Sequence, residues 1–131
     1  MWFKKKNKIT PIVKFNGITA EIEKDWSDLS WKFTYKKIEF NTEDHILNIP
    51  STDELDEYLA WIEKNKTHIE KSITETMKEW GGNINAAKVA AITIENKNKI
   101  SVLYLGDDTW GDMGGDFIIE NGNIVNEGWA D

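Results

Sequence analysis

The sequence predicts an α+β protein, in which a mainly antiparallel sheet carries one long amphipathic helix, about residues 52–80, on one face. Short segments with strand-like alternation precede a segment with helical periodicity, and similar short segments follow it. Two Asn-Gly pairs, at 16–17 and 121–122, are typical of tight hairpin turns. The predicted order is therefore three to four strands, one helix and four strands, in a single domain spanning residues 1–131.

The N-terminal strands are predicted from turn signals and side-chain alternation. ITPIVKF and ITAEIE flank Asn16-Gly17, and Pro11 suggests that the first strand lies at a sheet edge. In LSWKFTY, residues 29–35, apolar and aromatic side chains alternate with polar ones. The alternation slips at Lys36-Lys37, which predicts a bulge or a strand break there. HILNI, residues 45–49, is predicted as one more short strand.

The helix is predicted from an apolar stripe with spacings of three, four and seven, formed by Leu55, Tyr58, Leu59, Ile62, Ile69, Ile73, Met77 and Trp80. Ser51 and Glu54 have the spacing of a capping box, and Gly81-Gly82 is typical of a helix end. The weak point is NKT at 65–67, where a kink or a division into two helices is the alternative.

Composition excludes several classes of function. The chain has no cysteine, so a disulfide, a thiolate nucleophile and a cysteine metal site are all excluded. Its net charge is −7 and all sixteen basic residues are lysine, which is unfavourable for nucleic-acid binding. No stretch reaches transmembrane length, and the basic start lacks the apolar run of a signal peptide. We therefore expect an unprocessed cytoplasmic protein with no membrane partner.

The charge is unevenly distributed along the chain. Residues 1–14 contain five lysines and no acid, whereas no basic residue follows Lys99. The last stretch instead carries seven acidic side chains, those of Asp107, Asp108, Asp112, Asp116, Glu120, Glu127 and Asp131. A concentrated acidic segment attracts basic partners and raises their association rates.

The segment GDDTWGDMGGDF, residues 106–117, lies within this acidic stretch. Its aspartates do not follow the alternate spacing of a calcium loop. Its glycines lie among acids, without the helix start or lysine that phosphate binding needs. His45 and His68 share no motif, and the chain has no Gly-x-Ser-x-Gly turn. We therefore expect no enzyme activity, no metal and no cofactor.

A tryptophan among carboxylates is typical of a surface that binds a basic protein. The predicted binding residues are Asp107, Asp108, Trp110, Asp112, Asp116 and Glu120, with Trp110 as the anchor. The alternative is that Trp110 points inward and the aspartates only keep the loop soluble.

The chain resembles the small immunity proteins of bacterial contact-dependent growth inhibition and polymorphic-toxin systems. The resemblance lies in its size, its acidity, its lack of cysteine, its β-rich frame and the ending WGDMGGDFIIENGNIVNEG. It implies a cytoplasmic protein that binds one cognate toxin domain, often a nuclease with a basic cleft, and blocks its active site.

Two other functions stay open at this point. One is an interaction or regulatory domain with a different partner. The other is a metal-assisted hydrolase that uses the aspartates between 107 and 116. Nothing in the sequence predicts an oligomeric state.

Overall fold

The computed structural model describes residues 12–15, 18–25, 28–43, 46 and 49–131. Within these residues the chain forms two α-helices, α1 (Thr52–Lys64) and α2 (Lys66–Trp80), and two 3₁₀ turns, Ile84–Ala86 and Asp108–Trp110. The described strands are β1 (Ile12–Phe15), β2 (Ile18–Asp25), β3 (Asp28–Tyr35), β4 (Ile38–Thr42), β5 (Lys88–Asn96), β6 (Lys99–Leu105), β7 (Gly114–Glu120) and β8 (Asn123–Ala130).

The described strands lie side by side in one eight-stranded sheet, in the order of the chain. Six of the seven pairings between them are antiparallel, and only β4–β5 is parallel. A parallel pair needs a long crossover, which α1 and α2 supply. The predicted α+β class is confirmed. The predicted order with one helix is wrong, because two helices separate the two groups of four strands.

The long helix predicted at about 52–80 is divided at Asn65, whose φ of −98° and ψ of 12° end α1 and begin α2. The Asn65 side-chain amide donates to the Trp61 carbonyl at 2.7 Å and to the Gly122 carbonyl at 3.0 Å. Asparagine side chains that bond to the backbone in this way compete with helical hydrogen bonding. The Asn65 side chain therefore also holds the junction between α1 and α2 against the turn between β7 and β8.

The predicted ends of the helical segment are confirmed. Ser51 Oγ accepts a hydrogen bond from the Glu54 N–H at 3.2 Å, and Glu54 Oε1 accepts one from the Ser51 N–H at 3.0 Å. These are the two reciprocal bonds of a capping box. At the other end, Gly81 has a φ of 95° and donates its N–H to the Met77 carbonyl at 2.7 Å.

The slip in alternation at Lys36-Lys37 is a hairpin turn. Both residues have positive φ, 50° and 67°, and Tyr35 pairs directly with Ile38 across the turn. A two-residue turn of this kind reverses the chain, which restores the facing of the side chains in β4. Of the two alternatives predicted here, the strand break is the one present.

The two predicted Asn-Gly hairpins have different outcomes. The β7–β8 turn is confirmed, with positive φ at Asn121 and Gly122. β1 and β2 pair as predicted, but Asn16, Gly17 and Pro11 lie outside the described residues. Of the strand predicted at 45–49, Ile46 and Ile49 belong to no strand, and the other residues lie outside the described part of the chain.

The core lies between the helices and one face of the sheet, and the described residues form two clusters within it. The larger cluster includes Phe33, Phe40, Leu55 and Tyr58, and the smaller is formed by Ile69, Ile73, Met77, Trp110 and Phe117. Most of the predicted stripe packs into these clusters, whereas Trp80 is 41% exposed. None of the described helices is long and apolar enough to cross a membrane.

Candidate functional site

The acidic loop, residues 106–113, connects β6 to β7 beside the C-terminal end of α2. A 3₁₀ turn, Asp108–Trp110, forms its middle. Trp80, the last residue of α2, donates its Nε1–H to the Trp110 carbonyl at 2.8 Å. Residues from α2 and from the loop therefore form one continuous surface.

Trp110 is fully buried, with 0% of its surface exposed. Its Nε1–H donates to the Asn83 carbonyl at 2.8 Å, and its ring lies 5.8 Å from that of Trp129, measured between centroids. A buried, hydrogen-bonded indole cannot contact a partner unless the loop unfolds. The anchor role predicted for Trp110 therefore does not fit the structure, which has the inward orientation that was the alternative.

The glycines in and around the loop make room for tryptophan rings. A Cβ atom on Gly106 would lie 2.3 Å from the Trp110 ring, and one on Gly82 would lie 2.8 Å from it. A Cβ on Gly115 would lie 2.6 Å from the Trp129 ring. Such distances are too short for real contacts, so these positions require glycine or a shift of the ring. Two of the four glycines in residues 106–117, Gly106 and Gly115, thus have a packing cause.

The predicted acidic residues differ in what they contact. Asp107 accepts hydrogen bonds from the Thr109 hydroxyl and, at 2.9 Å, from the Thr109 N–H. These bonds hold the pKa of the Asp107 carboxyl below its usual value. Asp116, on β7, accepts a bond from Ser101 Oγ at 3.0 Å. Both carboxylates therefore have partners within the chain.

Asp108 and Asp112 are exposed, and no side-chain hydrogen bond or ion pair between described residues uses either of them. They are the loop carboxylates best placed to meet a partner. Glu120 is at the opposite end of β7 from the loop, about 20 Å along the strand. The structure does not bring Glu120 together with the loop aspartates, and the role of Glu120 in binding stays a prediction.

The exposed aromatic beside the acidic loop is Trp80. With Met113, Glu79 and Thr76 it lines a shallow depression of about 370 Å³. Periodicity alone placed Trp80 on the apolar stripe and so predicted it as core. A signal for its exposure was its position directly before Gly81-Gly82, where the helix ends.

A second polar cluster joins α2 to β8. The Glu127 carboxylate accepts a hydrogen bond from Ser72 Oγ at 2.6 Å and lies 2.5 Å from His68 Nε2. Ser72 Oγ in turn accepts one from Trp129 Nε1 at 3.0 Å. Because Ser72 donates to a carboxylate and not to His68, the cluster lacks the nucleophile–base contact of a catalytic serine. It holds the edge strand against the helix.

Burial of Glu127 raises its pKa, but the hydrogen bonds from His68 and Ser72 and the charge of His68 outweigh burial. The pKa of Glu127 is therefore lowered from its ordinary value of 4.5. The ionised carboxylate is the form that the cluster stabilises.

No three histidine, aspartate or glutamate side chains among the described residues come together in a way that could hold a metal ion. The aspartates between 107 and 116 thus do not form a ligand set, and the geometry does not favour a metal-assisted hydrolase. His45 lies outside the described residues.

Comparison with protein families, with curated proteins and with solved structures finds no match to this chain. Geometry and charge therefore carry the functional proposal.

Proposed function

We propose that the protein binds and neutralises a cognate bacterial toxin domain through the Trp80 surface, which comprises Trp80, Met113, Glu79, Asp108 and Asp112. The observation that carries the proposal is an exposed indole beside carboxylates that have no partner among the described residues. Tryptophan is the side chain most enriched at binding hot spots. Carboxylates around it favour a basic partner and speed its approach.

The Trp80 indole is held in position before any partner arrives. Its Nε1–H donates to the Trp110 carbonyl, and Trp110 is itself locked between Gly106 and Gly82. An aromatic with a fixed orientation loses little conformational entropy on binding, which favours affinity. The buried Trp110 thus holds the exposed Trp80 in position, and Trp80 is the anchor that we propose.

The partner that we propose is a toxin domain with a basic cleft, such as a nuclease. The immunity protein would occlude that cleft in the cytoplasm and would carry out no chemistry itself. The lack of basic residues after Lys99 supports this choice of partner, since a lysine- and arginine-lined cleft would meet no like charge from this stretch.

The test uses the toxin domain encoded beside the gene for this chain. We expect a complex that inhibits the toxin and that weakens by roughly 30-fold in Trp80→Ala, the effect of losing one hot-spot residue. The double variant Asp108→Lys/Asp112→Lys should slow association severalfold and reduce its dependence on salt. Dissociation constants and association rates are measured by biolayer interferometry at two salt concentrations.

Val125→Ala, which alters an exposed apolar side chain on β8, serves as the control and should bind like the natural protein. Unchanged binding by both Trp80→Ala and the charge-reversed variant would contradict the Trp80 surface. A neighbouring toxin that is neither bound nor inhibited would contradict the immunity function itself.

A further inference from the structure

A groove of about 560 Å³ lies beside α2, formed by both helices, the 3₁₀ turn Ile84–Ala86 and β6. Its apolar lining includes Ile62, Ile69, Ile73 and Tyr104. Its volume falls in the range of ligand-binding sites, about 300–1,000 Å³. The groove is therefore large enough to hold several side chains of a partner.

The groove and the Trp80 surface are on different sides of α2. Thr74 lines the groove and Thr76 lines the Trp80 depression. Two residues along a helix correspond to a rotation of about 200°. The groove is therefore a separate site, and its occupation does not depend on the Trp80 surface.

The lining of the groove extends along both helices. It runs from Ile62 on α1 to Thr74 on α2, which corresponds to about 18 Å along the helical residues. An extended peptide covers that length with about five residues. Lining residues spread over this length suit a stretch of polypeptide.

The rim of the groove is acidic on its helical side. Glu63 and Glu70 both line it and are seven residues apart, with Lys66 between them. None of the ion pairs between described residues uses Glu63 or Glu70. Two carboxylates against one ammonium leave an excess of negative charge beside an apolar floor.

Tyr104 adds a polar group that is fixed in position. Its ring packs edge-on against Phe117, with centroids 5.6 Å apart, and its hydroxyl makes no hydrogen bond to the other described residues. Burial, together with the charges of Glu70 and Glu63, raises the pKa of Tyr104 to about 12. The hydroxyl stays protonated at neutral pH and can donate to a peptide carbonyl.

One wall of the groove exposes an apolar side chain. Ile84, on the 3₁₀ turn, has 43% of its surface exposed. An occupant that covers Ile84 removes apolar surface from water, which is favourable.

We propose that this groove binds a short, extended segment of a partner protein in which an aliphatic side chain neighbours a lysine or arginine. The aliphatic side chain contacts Ile62, Ile84 and the ring of Tyr104. The cationic group meets the carboxylates of Glu63 and Glu70.

The probes are three acetylated nine-residue peptides at 150 mM salt. The first contains two leucines and three lysines separated by glycine, the second has glutamate for lysine, and the third has serine for leucine. Amide chemical shifts of the isotope-labelled full chain report where each peptide binds. We expect saturable binding of the first peptide, with the largest shifts at Ile69, Ala87 and Tyr104, and at least tenfold weaker binding of the other two.

The double variant Glu63→Gln/Glu70→Gln should weaken the first peptide by at least fivefold. Glu75→Gln replaces one carboxylate by an amide elsewhere on α2, beside His68 and Glu127, and should leave the affinity unchanged. Equal effects of these variants, equal binding of all three peptides, or shifts centred on Trp80 would overturn the proposal. A dimer that closes the groove without peptide, seen as concentration-dependent line broadening, would also overturn it.

Because this experiment uses no toxin and leaves Trp80 unchanged, its failure would not count against the proposed immunity function. Likewise, loss of toxin binding in Trp80→Ala would not count against the groove.

Discussion

The two sides of α2 meet the rest of the molecule in different ways. On the filled flank, toward β7 and β8, the rings of Trp110, Trp129 and Phe117 pack together, and Glu127 bonds to the helix. On the open flank, toward the 3₁₀ turn Ile84–Ala86, a groove of about 560 Å³ remains between the helix and Tyr104.

The difference indicates that the two sides of one helix contribute unequally to packing. The filled flank reaches close packing because glycines at 82, 106 and 115 admit the tryptophan rings. Among the described residues no such ring fills the open flank, and a groove remains there beside side chains of the same stripe. We expect stability to depend mainly on the filled flank.

The largest expected loss of stability comes from removing a buried ring on the filled flank. Trp110→Ala removes a fully buried ring together with its hydrogen bond to Asn83, and should lower the free energy of unfolding by about 3–5 kcal/mol. Urea denaturation followed by circular dichroism measures the loss. Ile84→Ala on the open flank is the control, with an expected loss below about 1 kcal/mol. Similar losses for the two variants would break the distinction between the flanks.

An intermediate loss of stability is expected from adding an atom beside a buried ring on the same flank. In Gly106→Ala the new Cβ would lie 2.3 Å from the Trp110 ring, so the ring must shift, at a cost of about 1–3 kcal/mol. In Gly128→Ala the new Cβ meets nothing within 4 Å, so the change should stay within about 0.5 kcal/mol. Thermal melts of both variants measure the difference. A Gly106→Ala protein as stable as Gly128→Ala would show that the ring moves freely.

The smallest expected effect concerns the polar cluster on the filled flank. Because folding lowers the pKa of Glu127, its carboxylate contributes stability above the ordinary value of 4.5, and that stability is lost as pH falls through the lower folded pKa. Glu127→Gln should therefore cost roughly 1 kcal/mol at pH 7. The gap from the natural protein should narrow as the pH approaches 3. Urea denaturation at pH 7, 5 and 3 follows this gap, and a constant gap would exclude the ionised carboxylate as its source.

Local signals predicted much of the fold. The capping box at Ser51 and Glu54, the hairpin at Asn121-Gly122 and the break at Lys36-Lys37 depend on residues close together in the chain, so the sequence pattern suffices. The division at Asn65 depends partly on the Gly122 carbonyl, which is distant in sequence. A helical pattern alone could not show that contact.

The candidate site was predicted less well, for a physical reason. Asp108 and Asp112 are exposed as expected. Trp110, which was predicted as the exposed anchor, is buried, whereas Trp80, which was assigned to the apolar stripe, is exposed. Periodicity shows which side of a helix is apolar, but not where the sheet beneath it ends, so it placed Trp80 in the core. Trp110 lies in a loop without periodicity, and only the glycines across from it show that its ring is inside. The groove was not predicted for a similar reason. Several of the isoleucines that line it belong to the apolar stripe, and periodicity does not show which part of the stripe stays uncovered.

The parallel pairing of β4 with β5 has a consequence for the order in which the chain assembles. The other described pairings join strands that follow each other closely in the chain, so each fixes only a short loop. Aligning Phe40 with Ile92 instead encloses both helices, and the entropy lost on closing a loop grows with its length. We therefore expect the main kinetic barrier to folding at the step that pairs β4 with β5. This step joins two groups of four antiparallel strands that form from local contacts, and non-local pairings form slowly.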